Sequence, residues 1–165
     1  PAYLGDLAFT PKLAATALVV IAVCNGIGSW GFGWPGGRYR KKHLLSGLYT
    51  MRALVIFAFV ITPPSIASVM IFAAAIGFLW LGTVPLTSGL VAQIFGTRYM
   101  ATLFGIVFLS HQVGAFLGVW LGGRMFDATG SYEAVWWIAI ALGFVSAAVH
   151  MAIDDRPVMR LQAAR

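Results

Sequence analysis

Residues 13–34 form a run of 22 amino acids without a charge, and four more apolar runs follow at 44–62, 66–95, 99–123 and 134–153, interrupted only by Arg52. A helix crossing the hydrocarbon core of a bilayer needs about 20 predominantly apolar residues. Few architectures other than a bundle of membrane-spanning helices can absorb five such runs. Composition agrees, because 60% of the 165 residues are hydrophobic and only 10% are charged, where a soluble domain carries about 25%. So few charges cannot cover a water-facing surface. The sequence predicts an all-α integral membrane protein whose principal partner is the lipid bilayer.

The net charge of +6 does not indicate nucleic acid, since the eleven Lys and Arg residues sit in short segments between apolar runs, with no extended basic face and no interleaved aromatics. Cys24 is the single cysteine and lies inside an apolar run, so no internal disulfide forms. The chain begins at Pro1 in mid-pattern, with no charged n-region before a short apolar core, so nothing resembles a signal peptide. It reads as a fragment.

Residues 1–12, with Gly5, Asp6, Thr10 and Pro11, are expected to be an extracytoplasmic lead-in loop that caps the first span. The junction 35–43 breaks the apolar pattern with Pro35, Gly36 and Gly37 and then supplies Arg38, Arg40, Lys41 and Lys42. A basic loop is expected there. Thr62-Pro63-Pro64-Ser65 ends the second span, because paired prolines cannot continue a helix. Pro85 predicts a kink in the third span, a polar loop is expected at 124–133, and residues 154–165 read as a polar tail.

The cations orient these spans. Arg38, Arg40, Lys41, Lys42, Arg98, Arg156, Arg160 and Arg165 fall on one side, Lys12 and Arg124 on the other. The positive-inside rule then makes the start of the chain extracytoplasmic and the tail cytoplasmic. The expected location is the cell (inner) membrane, crossed several times.

Two G-x-G-x-x-G strings occur, at Gly26, Gly28, Gly31 and at Gly31, Gly33, Gly36. A dinucleotide site needs a preceding strand and an acid about 20 residues on, and no acid stands between Asp6 and Asp127. No cofactor and no metal site are expected. Ser110, Gly114, Gly118 and Gly122 recur every four residues, which places them on one helix face where a second helix can approach closely. Asn25, Ser29 and Gly33 form a comparable stripe in the first span. Packing within the chain is the expected use of both.

Polar groups at mid-depth must find partners in hydrocarbon. Asn25, Trp80, Thr83, His111 and Gln112 lie at similar depths, and lining one cavity is the functional reading. The plainer one has Asn25 and Thr83 bonding helix backbones and Gln112 bonding a neighbouring helix. His111 is ionisable and suits a proton or anion role. Arg52 stands eight residues into its span, roughly 12 Å deep at 1.5 Å per residue. With no acid inside any span, its partner is a helix carbonyl, a bound anion, or a carboxylate from another part of the protein.

At this point the residues resemble the C-terminal half of a major facilitator superfamily (MFS) transporter, the five spans looking like helices 8 to 12 of that twelve-helix fold. Gly33, Arg38, Lys41 and Lys42 match the first glycine, first arginine and closing basic pair of the family's cytoplasmic loop motif, G-x-L-x-D-R-x-G-R-K/R. Pro35, Gly37 and Arg40 stand where it has leucine, aspartate and its second glycine. The string from Gly122 through Arg124, Asp127 and Gly130 to Tyr132 resembles the eleventh-to-twelfth helix junction of the monocarboxylate-transporter-like and oxalate/formate-antiporter-like branch.

That resemblance implies alternating access, in which two halves rock around a midplane site between them. It implies a missing N-terminal half, cavity or interface positions for Asn25, Thr83 and His111, and an outer, structural position for Arg52. Carboxylate carriers of this branch often place a cation in the eighth helix, and here none stands between Lys12 and Arg38. His111 and Arg52 are left as the intramembrane candidates for an anion. The function expected is secondary active transport, symport or antiport, of a small organic solute, with a monocarboxylate and proton coupling as candidates. A non-transporting receptor or assembly protein on the same fold is the alternative. A membrane-embedded enzyme ranks lower, for want of converging reactive groups at one depth.

Overall fold

A computed structural model describes residues 2–158. Arg160 and Arg165, counted above for orientation, lie outside the described residues, as does the rest of 159–165. The described chain is helical, with five helical segments long and apolar enough to cross a membrane. They alternate in direction, so the bundle has a first end, formed by 7–10, 62–65 and 130–132, and a basic end, formed by 39–40, 96–99 and 153–158.

The lead-in residues are not a plain loop. A short helix, α1 (Ala2–Asp6), folds there because Leu4 is buried against Ala14, Ala17, Val69 and Ala73. Thr10 then caps α2 (Pro11–Arg38), its hydroxyl accepting from the Leu13 N–H at 3.3 Å. α2 does not stop near residue 34 but runs through Pro35 to Arg38. Continuing the helix buries Gly36, where an added Cβ would lie 2.9 Å from Leu86 Cδ2. The loop shrinks to Tyr39 and Arg40 before α3 (Lys41–Ile61) begins. Both glycine strings therefore lie inside a helix rather than in a phosphate-binding turn.

Ser65 opens α4 (Ile66–Trp80) with a reciprocal capping box to Ser68. The third span is interrupted at Leu81 and Gly82 before α5 (Thr83–Phe95). Pro85 lacks the N–H that Leu81 O would receive in a continuous helix, so the break precedes the proline by one turn. α6 (Met100–Thr129) is 30 residues long, about 45 Å at 1.5 Å per residue. It absorbs most of the expected polar loop, with Arg124 and Asp127 in its last turns, and ends at Gly130, whose N–H bonds Phe126 O at 2.7 Å. α7 (Glu133–Ala152) completes the bundle.

Small residues set two tight crossings. A Cβ on Gly28 of α2 would fall inside the Phe78 backbone, and one on Gly77 of α4 would stand 2.7 Å from Ile21 O. α2 and α4 thus meet backbone to backbone. The stripe expected to do this in the first span is offset from the contact: Asn25 and Ser29 are half-buried and Gly33 faces open space. Gly143 of α7 sits 2.9 Å, by its added Cβ, from Ala53 of α3. Ala53, Ile56, Ile76 and Ile140 fill the middle of the bundle, and Leu45, Leu48, Leu79, Leu86 and Leu90 fill its basic end.

α6 stands apart, since it touches only α5 and α7 to any extent and none of its residues is buried. Gly114 and Gly118 have nothing within 4 Å of an added Cβ, and Gly122 meets only Val135 at 3.8 Å. Apart from that one contact at Gly122, the Ser110 to Gly122 stripe is not used for close helix packing among the described residues.

Candidate functional site

Two groups of polar residues bear on function. At the basic end, the segment after α7 folds back under the bundle. Arg40 Nε donates to Asp155 Oδ2 at 3.1 Å and its Nη2 donates to Oδ1, a two-point contact. Gln93 Nε2 donates to Asp155 O at 2.8 Å and its Oε1 accepts from Lys41 Nζ at 3.0 Å. Lys42 Nζ donates to Ile153 O at 2.8 Å, and Val158 N donates to Ile94 O at 2.9 Å. The post-α7 segment is thereby strapped to the start of α3 and the end of α5.

Asp155 is only 5% exposed, and the paired Arg40 guanidinium holds its carboxyl down at about 2, burial opposing. A carboxylate lowered in the folded protein contributes above its ordinary pKa of 3.8 and loses that contribution as pH falls to its folded value. With spin labels on Arg156→Cys and Thr97→Cys, the inter-label distance should stay narrow at pH 7 and broaden between about pH 4 and about pH 2. Asp155→Asn should broaden it at pH 7. An unchanged distribution in both cases would mean the ion pair does not hold the strap.

The loop-motif residues divide. Gly33 points into open space, Arg38 lies over the Trp34 ring at 4.3 Å, and Lys41 and Lys42 make the bonds just described. Arg40, the position at which the loop departs from the motif's glycine, is the one that forms the ion pair. Asp155 and Gln93 were missed from the sequence. The available signal was parity: Asp154 and Asp155 follow the last span on the same side as the basic loop.

The second group lies within the spans. Arg52 Nη2 donates to Leu79 O at 2.9 Å and to Trp80 O at 3.0 Å. Of its three candidate partners, the structure supplies the helix carbonyls. The guanidinium also lies 5.2 Å from the Tyr49 ring and 5.1 Å from the Trp80 ring. Thr83 Oγ1 donates to Trp80 O at 3.1 Å, a backbone bond. Asn25 Oδ1 is buried without a hydrogen-bond partner among the described residues. His111 and Gln112 are exposed on α6, with Phe108 at 6.2 Å from the His111 ring. The fold therefore brings Arg52, Trp80 and Thr83 together, while His111 and Gln112 share no described contact with them or with Asn25.

A cavity of about 160 Å³ opens at the first end between Tyr3, Leu18, Phe59, Phe72 and Trp136. Its lining is apolar and includes none of the polar group.

Five helical segments of this length and apolarity define a polytopic membrane protein. Over 140 residues, 84% of its length, the chain is 29% identical to monocarboxylate transporter 13 of Rattus norvegicus, and over 139 residues it is 28% identical to that of Bos taurus. A stretch of 74 residues, 45% of the chain, is 34% identical to the uncharacterized MFS-type transporter YcxA of Bacillus subtilis (strain 168). The chain is thus related to transporters of the MFS type, as its motifs indicated. It spans 32% and 33% of the two monocarboxylate transporters and 18% of YcxA. No family model and no solved structure matches.

Proposed function

We propose that the chain is the C-terminal part of an MFS-type secondary active transporter that moves a small organic solute across the cell membrane by alternating access. A monocarboxylate is the leading candidate solute, given the relatives, and His111 the candidate proton carrier. The observation that carries this reading is α6, a 30-residue apolar helix with no buried residue, whose small-residue face meets only Val135, at Gly122, among the described residues. An N-terminal half packed on that face would bury it and enclose His111 and Gln112 opposite Asn25 and Thr83. The basic end is cytoplasmic in this arrangement and the first end extracytoplasmic.

Uptake by the full-length protein in liposomes is the functional test, and the absence of flux for every solute in a broad panel would go against it. A structural check accompanies it. Gly118→Leu meets open space in this chain, so it should be silent unless another part of the transporter occupies the face. In the full-length protein it is expected to lower thermal stability by the equivalent of about 1–3 kcal/mol, the usual cost of overpacking. A neutral Gly118→Leu would place the other half elsewhere.

A further inference from the structure

The interruption between α4 and α5 leaves a backbone carbonyl to account for. In an unbroken helix Leu81 O would accept from residue 85, but Pro85 has no N–H. Val84 N–H turns to Leu81 O instead, at 3.1 Å. That bond uses the donor which a regular helix delivers to Trp80 O. An unpaired carbonyl is costly where no water reaches it. Trp80 O is met by two side chains: Thr83 Oγ1 from its own span at 3.1 Å, and Arg52 Nη2 from α3 at 3.0 Å.

The neighbourhood is shaped to admit this contact. A Cβ on Gly82 would strike Phe32 of α2 and lie 3.0 Å from Leu48 Cδ1 of α3, so the broken turn is pressed against both helices. The Arg52 guanidinium lies between the Tyr49 and Trp80 rings, 5.2 and 5.1 Å from their centres. One half-buried cation thereby bonds the Trp80 carbonyl and stands against the Trp80 indole.

We propose that Arg52 is a positioning residue: bonded to Leu79 O and Trp80 O, it closes the end of α4 at the break Pro85 imposes, and so orients Trp80, with Thr83 bonded to the same carbonyl, on the wall of the transport site. The role for the wall rests on the transporter reading above. The role at the break does not, and the two are read separately. A cation merely tolerated in the span would behave differently. Replacing it with methionine, of similar length and no charge, would then relieve the burial cost and leave the break as it was.

Hydrogen exchange of the full-length protein in lipid nanodiscs tests this. Arg52→Met is expected to speed exchange at residues 81–84 by about tenfold or more, from the loss of the charge-assisted hydrogen bonds to Leu79 O and Trp80 O, with α7 unchanged. Arg52→Lys, which keeps a charged donor, should restore part of the protection. Thr83→Val should raise exchange in the same segment by a smaller factor, and this variant serves if Arg52→Met fails to fold. Unchanged exchange in 81–84, or a uniform rise across all helices, would overturn the proposal. Because exchange is read without flux, a protein that transports nothing would refute the transporter reading while leaving the clamp to stand or fall on these rates.

Discussion

Gly28→Ala is expected to unseat α2 from α4 and to cost more than any other single methyl added to this bundle. The new Cβ would fall inside the Phe78 backbone, and no rotamer can relieve a clash with main chain. Overpacking of ordinary core sites costs about 1–3 kcal/mol. Here both helices must move apart, and the Gly77 approach to Ile21 would open with them. The expected loss is therefore at or above the top of that range. Thermal unfolding of the full-length protein in detergent, scored beside Gly26→Ala on the same helix, provides the check. Gly26 has nothing within 4 Å of an added Cβ, so its alanine should be neutral or slightly stabilising, since alanine favours a helix over glycine by roughly 1 kcal/mol. Equal effects at the two positions would mean that the α2/α4 crossing is looser than described.

The second large effect is functional. His111→Ala in the full-length transporter is expected to lose proton-driven uptake, by roughly the 10²-fold or more that removing a positioned proton carrier costs, with folding intact. Folding should survive because His111 is exposed on α6 and makes no hydrogen bond among the described residues. The measurement is initial uptake as a function of external pH, paired with the unfolding temperature. Unchanged, pH-dependent uptake in the variant would remove His111 from the mechanism and leave it as a lining residue.

The sequence disclosed the membrane helices because apolar run length is set directly by bilayer thickness. Their ends were less legible. Pro35 and the glycines after it look like a chain break, yet Gly36 is buried under Leu86, and that contact is tertiary. α6 likewise continues to Thr129 because Gly130, rather than the charge at Arg124, terminates it. Small-residue spacing showed that close crossings exist but not which face makes them: Gly28 rather than the Asn25–Ser29–Gly33 stripe meets α4. Pro85 announced the break in the third span, but its partner Arg52 comes from another helix and no local pattern names it. The same holds for Asp155, which lies 115 positions from Arg40. For the midplane set, depth alone grouped Asn25, Trp80, Thr83, His111 and Gln112, and the fold joins only Trp80 and Thr83 of them, through one carbonyl.

If this bundle is part of a solute carrier working by alternating access, as proposed, solute exchange across a membrane follows. The most direct measurement is counterflow by the full-length protein in liposomes. Vesicles loaded with an unlabelled small monocarboxylate, and then with other small organic solutes in turn, are diluted into a trace of the labelled compound. Transient accumulation of label above equilibrium is expected for at least one solute, abolished by dissipating the preloaded gradient. Saturable binding of a solute with no counterflow would contradict it and would mark the protein as a receptor on a transporter's fold.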